Sequence, residues 1–434
     1  MKPFHIIVFG IFVFLAVAGV IVFAKLGGVG GSADEVGTVV MWGVLPQSAM
    51  EKVLSEVRLT RNDFNAVSYV EKKPPTYTAE LINAIAAGTG PDLALLSQDD
   101  IVRMGDKFLS IPYANLSERD FKDRFISEGE LFLGAQGIIG LPFTIGPLVM
   151  YWNRQLFAQE GLAEPPKTWD EFFALSQKLT KKNQTGTITR SAVALGEYAN
   201  IPHAKDLLAA LILQAGNPIV VATGQDAPPQ AVLARRDGGA PLSAGELALG
   251  FYTEFSNPAK STYSWNRALP NARDMFSAGD LAVYFGYASE LRVLRNANPN
   301  LDFDVALLPQ AQGAKTKVTF GRLAALGIAR GTGNAGGALA AALELSGVGA
   351  LTTLAAQTAL PPVRRDLLSQ APASSYQQIS YTSALISRGW LDPDPALTEG
   401  YFRIAIENVT SGRLRLGEAV LSLSNDLQHA FTPR

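Results

Sequence analysis

The spacing of apolar positions switches between the two regular periods of protein structure along this chain. Short apolar runs at 38–42, 64–69 and 91–96 predict strands, and amphipathic segments at 49–59 and 77–87 predict helices between them. Strands that alternate with helices form parallel sheets with helices on both faces. The pattern therefore predicts an α/β fold.

The alternation continues toward the end of the chain, and no internal repeat of fixed period interrupts it. Further strands are predicted at 281–285, 303–308 and 323–329. Further helices are predicted at 117–125, 206–214, 244–255, 268–278, 337–345 and over most of the chain after 351. Residues 223–242 are rich in Pro, Gly and Ala, which predicts a loop or an exposed hairpin.

Residues 141–180 combine these elements in an unusual order. Pro142 and Pro147 cannot donate to a strand ladder, so an interrupted, hinge-like crossing is predicted before 148–152. The unbroken apolar run 148–152 predicts a strand that is covered on both faces. A short helix and a Pro-Pro turn follow, and 168–171 predicts a capping box that opens the next helix.

Length and composition limit the class of protein. A chain of 434 residues suits two lobes better than one core. The formal net charge of -2 gives no basic surface for nucleic acid. The absence of cysteine excludes disulfides, thiolate catalysis and cysteine metal sites.

An uncharged apolar run covers 6–24, after Lys2. The hydrophobic region of a secretory signal has about 7–15 residues, whereas a membrane-spanning helix needs about 17–25. The run therefore predicts an uncleaved anchor over 1–25 and a Gly-rich linker over 26–37, with the binding domain outside the cytoplasm. Cleavage after 22–24, which would give a secreted or periplasmic protein, stays open as the alternative.

The block 141–172 also resembles a signature of bacterial extracellular solute-binding proteins of ABC importers, in the oligosaccharide- and maltose-binding group. The matching positions are Pro142, Gly146, Asn153, Leu156, Phe157, Gly161, Pro165, Pro166, Thr168, Trp169, Asp170, Glu171 and Phe172. Segments 90–93, 276–291, 360–364 and 411–427 resemble further parts of the family pattern. The resemblance therefore covers nearly all of the chain after the linker.

The resemblance implies a two-lobed periplasmic-binding-protein-like (Venus-flytrap) fold. Each lobe would be a mostly parallel sheet flanked by helices, and a transmembrane helix would precede them. The chain would cross between the lobes near 143–146, 303–309 and 346–351. The implied segments are 38–143 and 306–347 for lobe one, and 144–305 and 348–434 for lobe two.

The sequence carries no pattern typical of a catalytic or metal centre. His5, His203 and His429 lie far apart, and the HExxH, GxSxG and Walker A patterns are missing. Residues 331–336 fit GxGxxG, but the acidic residue that a dinucleotide site needs about 20 residues later is missing. A strand-to-helix turn is the favoured interpretation. We therefore expect no cofactor, no metal and no enzymatic activity.

A sugar site needs aromatic faces for the pyranose ring and polar side chains for its hydroxyls. In open α/β sheets the ligand lies beyond the carboxyl ends of the strands. Glu197 and Tyr198 follow the strand-like run 192–196, and Trp265 lies in a polar segment. Together with the positions that the resemblance indicates, the candidate ligand contacts are Trp42, Asp99, Phe143, Glu197, Tyr198, Trp265, Tyr287, Arg364 and Trp390.

Several of these candidates have a structural alternative. Trp42 lies where relatives contact ligand, but it is equally a candidate core residue. Asp99 lies where relatives bind a hydroxyl, but it also suits a helix N-cap. Phe143 either faces the ligand or packs the hinge. Relatives place a stacking tryptophan where this chain has Ser289, so Tyr287 substitutes for it or that subsite is lost.

These features predict an extracytoplasmic binding protein that captures a mono- or oligosaccharide between two lobes and delivers it to an ABC permease. Binding would favour closure, because the ligand contacts both lobes only in the closed state. The alternatives are the same fold with a polyamine, peptide or organic anion, and a membrane-anchored sensor that presents a ligand. A glycosidase would show two convergent carboxyl groups with raised pKa values in the cleft.

Overall fold

The computed structural model describes residues 36–216, 218–221, 228–236 and 238–431. The predicted anchor at 1–25 and most of the predicted linker lie outside the described residues.

The strands are short except for two. Their bounds are β1 Val39–Gly43, β2 Val67–Glu71, β3 Leu93–Ser97, β4 Phe108–Leu109, β5 Leu133–Gly134, β6 Gly137–Ile138, β7 Leu141–Asn153, β8 Lys181–Lys182, β9 Ile188–Val193, β10 Val220–Val221, β11 Gln230–Ala231, β12 Leu281–Tyr287, β13 Phe303–Ala306, β14 Thr319–Ala329 and β15 Ser387–Arg388. The long strands β7 and β14 connect the two halves of the molecule.

The helices alternate with the strands along most of the chain. Their bounds are α1 Gln47–Thr60, α2 Pro74–Ala86, α3 Ile101–Met104, α4 Glu118–Arg124, α5 Arg154–Gln159, α6 Glu171–Leu179, α7 Ala204–Gln214, α8 Ala244–Glu254, α9 Ala272–Ala278, α10 Leu291–Ala297, α11 Ala335–Leu345, α12 Val348–Thr358, α13 Arg365–Leu368, α14 Ser375–Leu385, α15 Pro395–Thr410 and α16 Leu416–Ala430. Short 3-10 turns at Gln98–Asp100 and Ser127–Phe132 follow β3 and α4, respectively.

The strand order is β2-β1-β3-β14-β7-β12-β9-β8, with β13 also paired to β7 and with β4 and β15 paired to β14. Strands β1, β2 and β3 are parallel, and so are β9 and β12. Strands β7 and β14 run antiparallel to each other and to β12 and β3. Strand β7 therefore runs in the same direction as β1, β2 and β3, and β14 runs against them. Strands β9, β12 and β13 also share one direction, with β7 against them, so the strands on each side of the molecule are mostly parallel, as predicted.

The buried apolar side chains form two cores. The first core takes its members from 36–145 and 323–384, and the second from 148–320 and 390–427. We call the parts of the chain around them lobe one and lobe two. Strand β7 contributes Ile145 to the first core and Leu148 to the second. The α/β two-lobed architecture is thus present, joined by β7 and β14.

The membership of the two cores indicates where one lobe ends and the other begins, although the lobe boundaries remain a proposal. Strand β7 crosses near the predicted position of 143–146. The second crossing lies within β14, because Phe320 packs in the second core and Leu323 in the first. Helix α12, predicted for lobe two, contributes Leu351 and Leu354 to the first core. The packing therefore favours a division in which lobe one extends to about residue 384.

The predicted interruption before 148–152 is instead part of one continuous strand, β7. Over its first half, β7 pairs with β14, and its pairing with β12 begins at Leu148. Pro142 and Pro147 therefore lie where one edge of the strand has no ladder partner from β12, and their missing N–H groups cost little.

Residues 331–336, which fit the GxGxxG pattern, form a strand-to-helix turn, as predicted. Asn334 caps α11, with its Oδ1 accepting from the Gly337 N–H at 3.0 Å. The Asn334 Nδ2 donates to the Val36 carbonyl at 2.9 Å. Asn334 thus fixes both the helix start and the beginning of the first lobe.

Within the described part of the chain, no single helix is long and apolar enough to cross a membrane. Helices α11 and α12 pass such a test only as a pair, bent by 64°. Both contribute side chains to the first core.

Candidate ligand-binding site

Arg322 is the centre of a polar cluster between the two lobes. Its Nη2 donates to Asp206 Oδ2 at 2.7 Å, and its Nε lies 4.0 Å from Asp99 Oδ2. Asp99 follows β3 in lobe one, whereas Asp206 lies in the first turn of α7 in lobe two. The guanidinium therefore bridges carboxyl groups of both lobes. We call Arg322, Asp99, Asp206, Tyr287 and His203 the cleft cluster.

Tyr287, the last residue of β12, joins this cluster through its hydroxyl and its ring. The O–H donates to Asp206 Oδ2 at 2.6 Å, and the Arg322 Cζ lies 5.2 Å from the ring centre. The His203 ring meets it edge-on, with 4.7 Å between centres. Burial and the neighbouring Asp206 raise the pKa of Tyr287 well above its ordinary value. The hydroxyl therefore stays protonated and donates.

A second network holds His203 and Tyr287 in place. His203 precedes α7 with a positive φ of 61°, and its Nε2 lies 2.8 Å from Glu290 Oε1. Glu290 also accepts from the Tyr284 hydroxyl and the Tyr287 N–H, each at 2.8 Å. Burial raises the pKa of Glu290, but the hydrogen bonds and the charge of His203 more than offset this and lower it.

Asp99 is the acid of the cleft cluster that belongs to lobe one. Its side chain is 21% exposed, and its backbone N–H donates to Ser97 Oγ at 3.3 Å. Burial raises its pKa to about 6, although the charge of Arg322 opposes the rise. Asp99 can therefore both accept and donate hydrogen bonds at mildly acidic pH.

Glu128 is a buried acid beside the cleft cluster. It is 1% exposed, and the side chain of Gln98 lies beside its carboxyl group. A Cβ added at Gly389 would overlap both the Glu128 Oε1 and the Gln98 Nε2. Burial raises the pKa of Glu128 well above its ordinary value, and Arg388 opposes the rise. Burial therefore favours the neutral form of the Glu128 carboxyl group.

Beneath the cluster, a buried ion pair ties the start of α7 to the start of α15. Lys205 Nζ donates to Asp392 Oδ2 at 2.5 Å and to Thr398 Oγ1 at 2.7 Å. It also lies 5.7 Å from the centre of the Trp390 ring. Both ions are nearly inaccessible, so this pair fixes the second lobe's framework rather than contacting solvent.

Three of the predicted contact residues are core residues instead. Phe143 is 1% exposed and packs in the first core, which agrees with the alternative that it packs the hinge. Trp265 is fully buried and its indole N–H donates to Asn200 Oδ1 at 3.0 Å. Trp390 is 3% exposed and packs against Phe402. The apolar surface of these three side chains is covered in this conformation, and ligand contact by them remains only a prediction.

Two further predicted residues form local ion pairs. Glu197 accepts from Arg267 Nη2 at 3.3 Å, and Tyr198 beside it is partly buried. Arg364 donates to Asp366 through Nε at 3.0 Å and Nη2 at 2.6 Å. These contacts do not involve the cleft cluster, so ligand contact by the three residues remains only a prediction.

Trp42 keeps part of its surface open at the end of β1. Lys72 Nζ lies 3.7 Å above the ring centre, and the Trp42 carbonyl accepts from the Tyr77 hydroxyl at 3.2 Å. The ring packs against the edge of the first core. It is therefore both a partial core residue and a candidate platform, and its predicted role stays a prediction.

The structure brings Asp99 and Tyr287 together through three residues that the sequence reasoning missed. Arg322 interrupts the apolar sequence of β14, and Asp206 with His203 opens the first turn of α7. A lone arginine within an apolar strand is the signal that could have identified the cluster, because the Arg322 side chain is 44% exposed and therefore marks where the strand leaves the core. Across the described residues, no group of three or more acids and histidines is arranged to hold a metal ion.

The two lobes, the paired crossing strands and the polar cluster between the lobes define the class of two-lobed, cleft-forming binding proteins. The family model for bacterial extracellular solute-binding proteins matches residues 55–344. This chain belongs to that family.

Curated relatives match a shorter part of the chain. Binding proteins of Brucella abortus (strain 2308) and Brucella suis biovar 1 (strain 1330) are 28% identical to it over 149 residues. The match spans 29% of this chain and 36% of each relative, so the shared part is about a third of their length.

Solved structures match almost the whole chain at low identity. A cyclic α-maltosyl-1,6-maltose binding protein from Arthrobacter globiformis has a TM-score of 0.73 at 16% identity, covering 91% of this chain and 98% of its own. A cyclo/maltodextrin-binding protein complexed with maltotetraose has a TM-score of 0.72 at 16% identity, covering 92% and 98%. A solute-binding protein from Thermotoga lettingae bound with α-D-tagatose has a TM-score of 0.65 at 20% identity, covering 91% and 100%. These likenesses show the fold.

Proposed function

We propose that this protein captures a carbohydrate between its two lobes, outside the cytoplasm, and delivers it to an ABC permease. The observation that carries the proposal is the bridging of Asp99 and Asp206 by Arg322, which places hydrogen-bonding groups of both lobes around one point. The printed ligands of the structural neighbours, maltotetraose and α-D-tagatose among them, support a sugar as the ligand class.

The cleft cluster suits a neutral polyol. Carboxyl groups, a guanidinium and a phenol supply donors and acceptors for sugar hydroxyls, and the Tyr287 ring supplies an aromatic face. Two acids flank Arg322, so its charge is already compensated and an organic anion gains little from it. Asp99, Asp206, Tyr287 and Arg322 are therefore the contacts that we propose, with Trp42 as a candidate platform.

Binding would act as a population shift. A sugar that hydrogen-bonds Asp99 of lobe one and Asp206 of lobe two gains both sets of contacts only when the lobes are close. Strands β7 and β14 carry the change, because both lobes share them. No covalent step is required.

A glycosidase is the second candidate, and one observation favours it. Asp99 and Glu128 both have raised pKa values, as the acid of a glycosidase does. Glu128, however, is shut away from the cleft at 1% exposure, and the Asp206 carboxylate is occupied by Arg322 and Tyr287. Recovery of the sugar after incubation separates the two, because a binding protein returns it unchanged.

The test is calorimetric titration of the full chain with maltose, maltotetraose, mannobiose and α-D-tagatose. We expect saturable binding of one of these sugars and its loss in Arg322→Ala. The matched control is Arg154→Ala, which removes a surface arginine paired with Asp302 at 3.8 Å and should leave binding unchanged. Binding of a polyamine, peptide or organic anion, with silence from every sugar, would refute the carbohydrate proposal and keep the fold.

We also propose the N-terminal run 6–24 as the membrane anchor. The extracellular nature of the family supports a position outside the cytoplasm. Mass spectrometry of the protein extracted from membranes tests the anchor, since an intact N-terminus supports it and a start near residue 25 supports cleavage.

A further inference from the structure

Gln98 lies at the point where β3 ends beside the Arg322 segment of β14. It is the first residue of the turn after β3, and it is fully buried. Its Nε2 donates to the Gly321 carbonyl at 2.9 Å, and its Oε1 accepts from the Leu323 N–H at 2.9 Å. One amide side chain therefore holds the backbone on both sides of Arg322.

The backbone at 321–323 takes these bonds from a side chain because it lies between two ladders. The ladder between β3 and β14 ends with Ser97 opposite Ala324. Strand β15 pairs with the first two residues of β14. Buried backbone groups without a partner cost free energy, so the Gln98 amide supplies the donor and the acceptor that a strand would supply here.

The position of the Arg322 backbone decides where its guanidinium can reach. In this position, Nη2 lies 2.7 Å from Asp206 Oδ2 and Nε lies 4.0 Å from Asp99 Oδ2. A shift of about 1 Å along β14 would break the bond to Asp206, because such bonds span about 2.7–3.2 Å. Asp99 directly follows Gln98 in the chain, so Gln98 sets the place of the arginine and of the lobe-one acid together.

Close packing keeps the Gln98 amide in place. A Cβ added at Gly389 would lie 2.5 Å from Gln98 Nε2, and the Glu128 carboxyl group lies beside the same side chain. The amide is inaccessible to a ligand in the cleft. Its influence on binding must therefore pass through Arg322 or Asp99.

We propose that Gln98 is a positioning residue of the cleft site, which holds Arg322 where its guanidinium bridges the acids of the two lobes. This inference rests on the carbohydrate capture proposed above. A sugar that hydrogen-bonds Asp99 and Asp206 loses affinity when the amide is removed, because the arginine no longer holds the two acids in one arrangement.

Two measurements on the full chain test this role. The Nε–H signal of Arg322 in arginine-labelled protein, assigned by its disappearance in Arg322→Ala, reports the position of the guanidinium by NMR without any sugar. Calorimetric titration with maltose, maltotetraose, mannobiose and α-D-tagatose measures sugar affinity. If the wild type binds none of these sugars, the capture proposal fails, and the arginine signal still decides whether Gln98 positions Arg322.

Two buried glutamines provide a matched pair of variants. Gln310 holds backbone in the same way, because its Nε2 donates to the Leu308 carbonyl at 2.7 Å and its Oε1 accepts from the Val318 N–H at 2.8 Å. Gln98→Met is expected to shift the Arg322 signal and to weaken sugar binding at least about tenfold, as loss of a hydrogen bond to a charged group does. Gln310→Met is expected to lower stability and to leave both readouts unchanged.

Gln98→Glu tests whether hydrogen bonding rather than packing is responsible. A carboxylate at this position accepts from the Leu323 N–H but cannot donate to the Gly321 carbonyl, whereas a carboxylic acid does both. Affinity relative to the wild type should therefore approach the wild-type value as pH falls from about 8 to about 5. Comparison at equal pH cancels the titration of Asp99 and Glu128, the acids near this position.

An unmoved Arg322 signal with unchanged affinity in Gln98→Met would overturn the proposal. Equal losses of affinity in Gln98→Met and Gln310→Met would overturn it as well, because they would indicate a general effect of stability. So would a Gln98→Glu variant whose affinity stays as low as that of Gln98→Met at every pH.

Discussion

At the scale of single residues, the cleft cluster depends on hydrogen bonds between tyrosine hydroxyls and carboxyl groups. Tyr287 donates to Asp206, and its neighbour Tyr284 donates to Glu290 at 2.8 Å. Both tyrosines are buried on the same strand, yet only Tyr287 faces Arg322. Tyr287 therefore belongs to the part of the polar network that would contact the ligand, whereas Tyr284 belongs to the part that supports it.

We predict that Tyr287→Phe and Tyr284→Phe lower the free energy of unfolding by similar amounts, about 1–2 kcal/mol each, because each leaves a buried carboxyl group with one donor fewer. Only Tyr287→Phe should also weaken sugar binding. Urea denaturation and calorimetric titration measure the two quantities. Equal losses of sugar affinity in both variants would contradict the assignment of Tyr287 to the site.

The pKa of Asp99 predicts an unusual pH dependence. Folding raises it from 3.8 to about 6, so the native state binds more protons than the unfolded state between these values. Stability therefore falls as pH rises through this window. Asp99→Asn removes the effect, so the variant should gain stability over the wild type above pH 6 and lose that gain toward pH 4. Denaturation curves at several pH values test this.

Asp366→Asn is the control with the opposite sign. The hydrogen bond from Arg364 lowers the pKa of Asp366 in the folded state, so its stabilising contribution is present above pH 4 and disappears as pH falls. The variant should therefore be less stable than the wild type at neutral pH and equal to it in acid. A stability difference of the same sign in both variants would reject the interpretation of Asp99.

At the scale of elements, close packing between β14, β15 and β7 depends on Gly321. A Cβ at this position would lie 2.7 Å from Ser387 Oγ and 2.8 Å from Ile145 Cδ1. We predict that Gly321→Val lowers the free energy of unfolding by about 1–3 kcal/mol, because a well-packed site resists added volume. Thermal unfolding measures the loss. The matched control is Gly331→Ala beyond the end of β14, where a Cβ meets nothing within 4 Å and little change is expected.

The elements also show how much of the fold could be predicted from the sequence. Apolar periodicity identified β1, β2, β3 and the helices between them, because local pattern decides such units. It did not give the continuity of β7, since the prolines are harmless only where the neighbouring strand is missing. The direction of β7 and β14 is set by which strands they meet, and that information is not local. The same holds for the cleft cluster, whose members lie just after β3, at the start of α7, in β12 and in β14.

The burial of the candidate aromatic side chains was the feature least predictable from the sequence. Trp265 lies in a polar segment and still becomes fully buried, because the second core closes over it. Trp390 precedes a polar turn and packs over Lys205. The polarity of neighbouring residues in the sequence is therefore a poor predictor of tryptophan exposure. The large apolar surface of an indole ring favours burial whenever a hydrophobic core lies nearby.

At the scale of the whole molecule, two cores joined by β7 and β14 predict that a sugar acts on shape and stability together. Saturating sugar should reduce the radius of gyration in X-ray scattering, and at a hundred times the dissociation constant it should add about 2.7 kcal/mol to the free energy of unfolding. Arg322→Ala should show neither change. A stabilisation without compaction would mean that the ligand binds one lobe alone.

The positions of the tryptophans give the molecule a natural optical label. The chain has five, and Trp152, Trp169, Trp265 and Trp390 belong to the second core, whereas Trp42 lies at the edge of the first. Buried indoles emit at shorter wavelength than indoles in water, so the blue part of the emission spectrum reports almost only on lobe two. A Trp42→Phe variant would leave lobe one dark, so the melting of lobe two could be recorded alone in the intact chain without attaching a dye. The difference between the wild-type signal and that of the variant would then report on lobe one.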